Sequence, residues 1–402
     1  MSKADNPWTS RFSLLVLTHV AGTVSIVSVL AMTPVVTRDL GLRAAEFGLF
    51  ITAYPRGLIV GRTRPKRENF GLRGRNNMKT KVLQIHQHGG PEVLSWDDVE
   101  LSEPGPGEAL IRHTAIGFNF VDTYHRTGQL GHKVTFPLIL GSQGAGVVEA
   151  IGAGVEDLNT GDRVTYANLL GSYTEARIVP AGRMIKTPED ISDELAAAAF
   201  LRSLTVHYLL KRLYPVQPGE TILIHAAAGG TGLILCQWAR ALGATVIGTV
   251  GTDAKAEIAR AHGCSHAIVY TRDNFADKVM KITNGEGVPV VYDSVGRDTF
   301  MGSLECLRPM GMGINFGTAS GQVEPFPLQH LHKKSLIVTR PTLATYVAKR
   351  EDLEAASEEV FGVLRDGTVK IDITGRFPLK DAADAHRAIE SRDTTGTMIL
   401  LP

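Results

Sequence analysis

Three small residues at fixed spacing carry the most pointed chemistry in this sequence. Ala226, Gly229 and Gly232 lie in HAAAGGTGLILCQWARALG (225–243), after a strand-like TILI and at the opening of a helix-like run. Glycines there let the backbone turn tightly and approach a pyrophosphate. The helix that follows offers unpaired N–H groups and its positive dipole end to that anion. A glycine string alone is weak evidence, and the bland alternative is a simple turn. With a strand before it, a helix after it and a second strand beyond, it reads as a dinucleotide site.

The second strand, Ala244–Val250, selects the dinucleotide. A site built for NAD carries an acid about 20 residues after the glycines, on the ribose hydroxyls. Here the strand end holds Thr249, Val250 and Gly251 with no acid, and Lys255 follows. A missing carboxylate beside a cation suits the 2′-phosphate of NADP, so NADPH is expected over NADH. Asp253 complicates this reading and is assigned to the turn or the first helical turn. The bland alternative for Lys255 is a solvated helix lysine.

Metal chemistry finds few ligands. The cysteines are Cys236, Cys264 and Cys306. No pair forms a C-x-x-C motif, and none precedes Cys236 to serve a catalytic zinc or a four-cysteine lobe. A sparse odd count fits a reducing, cytoplasmic setting. Cys236, in an apolar helical stretch, reads as a buried inert thiol. The pairs His86/His88 and His330/His332 read as surface residues, since no carboxylate or cysteine completes a set.

The elements that must position these residues come in two kinds. From Met78, KVLQIH, ALIRHTAIGFN, GAGVVEAIG and DRVTYA read as short strands separated by Gly, Pro and Asp turns. From about Leu201, strands and helices alternate, which argues for βαβ units and a parallel sheet. From about Pro341, a long helix, the strand-like ITGRFPL and a short helix are expected to return to the first domain. The expected fold is α/β: a β-rich catalytic domain begun by 78–200, a doubly wound dinucleotide domain at 201–340, and a return at 341–402. Lys plus Arg is 42 against Asp plus Glu 41, a net charge of +1. That balance gives no global field for nucleic acid or an anionic membrane.

Residues 1–77 stand apart. Phe12–Val36 has no Asp, Glu, Lys or Arg, enough to cross a bilayer as one helix of roughly 20 residues. The basic stretch GRTRPKRENFGLRGR follows, and would sit on the cytoplasmic side. Residues 11–54 weakly resemble the first transmembrane helix of a major-facilitator transporter. One or two spans cannot form a transport pathway. Two readings remain for 1–77: a membrane tether at 12–36 facing the cytoplasm, or a fused or mis-started remnant. The remnant is preferred, because MKTKVLQIHQHGGPEVL from Met78 reads as a natural start.

GSQGAGVVEAIGAGVEDLNTGDRV (141–164), HAAAGGTG, VVYDSVGRDT (290–299) and the ending ESRDTTGTMILLP together resemble the quinone oxidoreductase (zeta-crystallin) branch of the medium-chain dehydrogenases. The resemblance covers Met78–Pro402. It implies a GroES-like catalytic domain, a Rossmann domain and a cleft between them. It puts Phe120, Val121, Asp122, Thr123 and Tyr124, with Thr205, at the nicotinamide end. It puts Gly230 and Thr231, beside Gly229 and Gly232, on the pyrophosphate. Gly251, Thr252, Asp253, Ala254 and Lys255, with Tyr270, would surround the adenosine and its 2′-phosphate. Ser294, Phe316, Gly317, Thr318, Ala319, Val338, Thr339, Arg340 and Arg392 would complete the pocket. Only the resemblance lifts Tyr270 and Arg392 above ordinary surface residues. Ser142 and Gln143 stand where zinc alcohol dehydrogenases read G-H-E, as in the zinc-free branch. A homodimer through edge strands of the Rossmann domain is implied as well.

Without zinc the chain lacks a Lewis acid for a simple ketone. A quinone needs less help, because its reduced form is aromatic. Positioning and a few hydrogen bonds would suffice. Asn119 and Tyr124 are the polar candidates near the transferred hydride: Tyr124 as a donor to the developing oxyanion, Asn119 to orient substrate or ribose. Their bland alternatives are a turn asparagine and a packed tyrosine. The expected activity is reduction of a quinone by NADPH. A rival of the same class reduces enoyl thioesters or enones. A rival of another class is a crystallin-like or RNA-binding protein, which the absence of an extended basic patch in 78–402 disfavours.

Overall fold

Strand β3 (Glu108–Phe118) shows how the first half is built. Its sequence EALIRHTAIGF buries Ala109 and Ile111 and turns Arg112 and Thr114 outward, so it lies with one face on a core. The computed structural model describes residues 78–131, 133–391 and 394–402. The expectations for residues 12–36 and for Arg392 lie outside the described residues. Among the described residues no helix is long and apolar enough to cross a membrane.

In chain order come β1 (Met78–Ile85), β2 (Leu94–Leu101), β3, α1 (Phe120–Thr127), β4 (Leu138–Ile139), β5 (Gln143–Ile151), β6 (Arg163–Ala167), β7 (Ala176–Pro180), β8 (Ile185–Lys186) and α2 (Asp193–His207). The alternating half follows: β9 (Thr221–Ile224), α3 (Gly230–Ala241), β10 (Thr245–Val250), α4 (Asp253–Ala261), β11 (His266–Val269), α5 (Phe275–Ile282), β12 (Val288–Asp293), α6 (Phe300–Cys306), β13 (Leu307–Asn315), α7 (Gln329–His332) and β14 (Ile337–Thr339). The tail holds α8 (Leu343–Tyr346), α9 (Arg350–Arg365), β15 (Ile373–Pro378), α10 (Ala382–Glu390) and β16 (Thr397–Leu401).

The sheets divide accordingly. One runs β15-β16-β3-β5-β6-β8, with β7 also on β3, and a small sheet runs β2-β1-β4. The tail thus enters the first sheet, with β16 antiparallel to β3 through pairs such as Ile399↔Gly117. The alternating half forms a six-stranded parallel sheet, β11-β10-β9-β12-β13-β14. Every residue of β12, VPVVYD, is buried, as expected of a central strand covered on both faces. Pro289 cannot donate to the ladder, and the β12–β13 register shifts there, between Val288 and Val290. Strand order reverses at β9, between β10 and β12, and such a switch point opens a ligand crevice at the carboxyl ends of the strands.

Helix α2 joins the halves. Ser192 caps it by accepting from the Leu195 N–H at 3.2 Å, and Asp193 and Glu194 favour its positive end. Its run of four alanines is buried on all sides, because it packs on β3, β5 and β6 and also on α3 and α9. Phe200 stacks on Phe361 of α9 at 5.6 Å. The boundary read at 200/201 falls inside this helix.

Candidate active site

The loop between β9 and α3 meets the crevice. Ala226 there has φ +52°, a left-handed conformation that costs a non-glycine residue strain. A Cβ at Gly232 would lie 2.2 Å from the Ala226 carbonyl oxygen, so only glycine lets α3 begin this close to the turn. The N-cap, Gly229, has no side chain to cap the helix, and the first turn has no acid. The positive end of α3 therefore has no side-chain acceptor of its own, and the spacing of Ala226, Gly229 and Gly232 has a structural reason.

The opposite wall is α1. Asn119 caps it: its N–H donates to Asp122 Oδ2 at 2.9 Å, and its Nδ2 donates to the Gly117 carbonyl at 3.4 Å. Thr123 bonds back to the Phe120 carbonyl, and the Phe120 and Tyr124 rings meet edge to face at 5.4 Å. The Tyr124 oxygen accepts from the Thr318 N–H at 3.1 Å. That bond joins α1 to the loop after β13, so two segments 194 residues apart face one another. Burial raises the Tyr124 pKa, which keeps the phenol protonated at neutral pH; Thr318 and the charge of Arg340 oppose this.

Asp122 points elsewhere. It is fully buried and accepts from Ser142 Oγ (3.0 Å) and Tyr173 OH (3.2 Å) as well as from Asn119. Burial raises its pKa to about 6 against these bonds and the charge of Arg202. Thr205 is half-buried on α2 and bonds its own helix through Leu201.

The pocket residues after β12 and β13 come together. Phe316 N–H donates to the Asp293 carbonyl and Ala319 N–H to that of Ser294, while a Cβ at Gly317 would lie 2.5 Å from the Ser294 carbonyl oxygen. Val338 and Thr339 lie on β14, and Arg340 just beyond it bonds Asn315 Oδ1. At the end of β10, Gly251 faces the Tyr270 hydroxyl, 3.3 Å from where a Cβ would stand. Asp253 is the first residue of α4, and its carboxylate pairs with Arg272 at 3.2 Å. Lys255 is half-buried in the same turn, and Ala254 is exposed.

Known proteins bear on this geometry directly. A family model for the alcohol dehydrogenase GroES-like domain matches residues 105–189, and one for zinc-binding dehydrogenases matches 230–361. A quinone oxidoreductase of Pseudomonas aeruginosa is 48% identical over 324 residues, 80% of this chain and 99% of that protein. The crystal structure of Escherichia coli quinone oxidoreductase complexed with NADPH aligns with TM-score 0.78 at 45% identity, covering 80% of this chain and all of that one. A 2-haloacrylate reductase of a Burkholderia species is 45% identical over 326 residues, 79% of this chain and 98% of that protein. The chain belongs to the quinone oxidoreductase family of the medium-chain dehydrogenases/reductases. Its GroES-like and Rossmann-type halves are those of the family. Neither family model reaches residues 11–54, where a transporter helix was the expectation.

One of the two family models bears zinc in its name, yet these residues do not fit the metal. Gln143 Oε1 accepts from the Leu201 N–H at 2.7 Å inside α2, and Ser142 donates to Asp122. Among the described residues no three His, Cys, Asp or Glu side chains form a metal-holding group. Three residues escaped the sequence reading. Tyr346 stacks on Tyr208 at 4.4 Å, and Arg340 acts electrostatically on Tyr208 as it does on Tyr124. Arg202 was passed over, although a lone arginine in AAAAFLRSLTV was visible. Tyr208 and Tyr346 left no local signal, because stacking across 138 residues has no period.

Proposed function

We propose that this chain reduces quinones with NADPH, without zinc. The observation that carries the proposal is the bond across the cleft from Thr318 to the Tyr124 oxygen. Because that oxygen accepts, the hydroxyl hydrogen is left to donate to an oxyanion forming in front of α1. NADPH, when bound, supplies the hydride. Phe120 to Tyr124 and Thr205 hold the nicotinamide end, and Asn119 orients ribose or substrate. Gly229, Gly230, Thr231 and Gly232 take the pyrophosphate. Gly251 to Lys255 and Tyr270, with Arg272 neutralising Asp253, take the adenosine and its 2′-phosphate. Ser294, Phe316 to Ala319, Val338 to Arg340 and Arg392 close the pocket. The catalytic domain is assigned to 78–200 and 341–402, and the cofactor domain to 201–340.

A homodimer through β14 belongs to the same proposal. β14 is an edge strand, and Ile337 on it is 50% exposed. The proposed setting is the cytoplasm.

The test is NADPH oxidation by the full chain against benzoquinone, naphthoquinone, 2-haloacrylate and a crotonyl thioester. Quinones should give the highest kcat/KM. A 2-haloacrylate or thioester preference would transfer the assignment to enone reduction, the reading that the 45% identity to 2-haloacrylate reductase favours. No NADPH oxidation with any acceptor would end both.

A further inference from the structure

Helix α2 carries a buried cation where the two halves meet. Arg202 is 6% exposed within a run of alanine and apolar residues. Its Nη2 donates to the Phe118 carbonyl at 2.6 Å and its Nη1 to the Ala198 carbonyl at 2.8 Å. These bonds engage two of its five N–H groups. Its Nε edge lies against the glycine loop: a Cβ at Gly230 would stand 2.9 Å from Arg202 Nε and 2.9 Å from the Gly396 carbonyl oxygen.

The charge has little compensation. Asp122 is the carboxylate whose charge reaches it, and both Asp122 oxygens are already held by Asn119, Ser142 and Tyr173. Burial lowers the Arg202 pKa to about 10, so it stays charged at neutral pH. A desolvated cation is costly unless an anion completes it. Beside it the positive end of α3 has no anionic partner of its own: Gly229 has no side chain, the first turn has no acid, and the bridge from Gly229 to Gly396 offers backbone only. A helix end and a buried guanidinium, on different elements, converge on Gly230.

We propose that Arg202 is the buried counter-charge for the nicotinamide-side phosphate of the dinucleotide. The proposal rests on the NADPH reading above. The side is set by its neighbours. Thr205 lies one turn further along α2, and Phe118 directly precedes Asn119 to Tyr124, all assigned to the nicotinamide end. The adenosine group follows β10, on the other flank of β9. Through Phe118, Arg202 also ties an occupied phosphate position to the start of the helix that carries Tyr124.

The test compares the full-length wild type with Arg202→Lys, Arg202→Gln and Arg202→Met in titrations of three probes. These are NADPH, reduced nicotinamide mononucleotide and adenosine 2′,5′-bisphosphate. The Met variant should weaken NADPH and the mononucleotide at least tenfold and the bisphosphate less than twofold. The Lys variant should stay within threefold of wild type for all. The Gln variant, polar but uncharged, should repeat the Met pattern and serves if the Met variant does not fold. Unchanged NADPH affinity in the Met or Gln variant would overturn the proposal. So would an equal loss for all three probes with a lowered melting temperature, the mark of a mere strut. A wild type that binds the bisphosphate but not NADPH or the mononucleotide would overturn it too. A wild type that binds none of the three would overturn the cofactor reading, and this assignment with it.

Discussion

Two buried carboxylates, one on each wall of the cleft, are held in opposite ways. Asp293 ends β12 and takes its hydrogen bonds from close by in sequence: the N–H groups of Val295 and Gly296 at 2.8 and 2.9 Å, and the hydroxyls of Thr299 and Ser303. Behind Ser303 stands buried His225, with Nε2 2.9 Å from Ser303 Oγ and Nδ1 2.8 Å from Thr249 Oγ1. These groups pin the ends of β9, β10 and β12 together. Asp122 relies on Ser142 and Tyr173, 20 and 51 residues away, and only Asn119 is local. Tyr173 in turn lies 3.4 Å from His386 of α10, which bonds Arg126, and Arg126 bonds Glu390. The cofactor wall is thus fixed by its own loop, and the catalytic wall by the closing of the chain on itself. One carboxylate makes a rigid floor. The other couples α1 to the tail.

The largest effect should come from breaking the local cluster. Asp293→Ala strands three donors, the Val295 and Gly296 N–H groups and the Thr299 hydroxyl, each worth about 1–3 kcal/mol when left unsatisfied, while Ser303 keeps the Thr299 carbonyl at 2.9 Å. The expected loss is upwards of about 3 kcal/mol in denaturant unfolding. A loss below about 1 kcal/mol would deny Asp293 its place in the floor. On the other wall, Tyr124→Phe leaves the buried Thr318 N–H without its acceptor and should cost about 1–3 kcal/mol of stability, with the KM for NADPH within twofold and kcat down about a hundredfold, the scale of one oxyanion donor. Full kcat in that variant would remove Tyr124 from the mechanism. Lys255→Ala should lower the preference for NADPH over NADH about tenfold by kcat/KM, and an intact preference would shift that duty to Arg272.

The smallest effect is the one that separates the two carboxylates most cleanly. Burial holds the Asp122 pKa near 6, above an unfolded value of about 3.9, so the folded state binds this proton more tightly. Its contribution is therefore complete below pH 4 and is lost as pH rises through about 6. His386, lowered by burial to about 3, contributes with the opposite slope: full above about pH 6.5, and lost as pH falls towards 3. Asp122→Asn should cost about 1 kcal/mol at pH 5 and remove the decline between pH 4 and 6. Parallel pH–stability curves for wild type and variant would show that Asp122 does not titrate there.

The parts legible in sequence were the ones with a period or a short spacing. Ala226, Gly229 and Gly232 announced their turn because a strand, three small residues and a helix are contiguous. β12 read as one strand of the alternating half because VPVVY is a short apolar run between helix-like segments. The missing acid after β10 was legible for the same reason, since it is a property of one strand end. Arg272, which pairs with Asp253, was not, because nothing local says that β11 brings the two side by side. Asp122 could be placed on α1, yet its partners Ser142, just before β5, and Tyr173, near β7, could not, since only the folded sheet assembles them. The structure also gives Asn119 the duty of capping α1, which neither of its sequence readings named.

The Thr318–Tyr124 bond is a seam made of one atom from each wall. On the role proposed for Tyr124, its hydrogen is aimed at an acceptor only while that bond holds, so one backbone amide of the cofactor half fixes the direction of a donor carried by the other half.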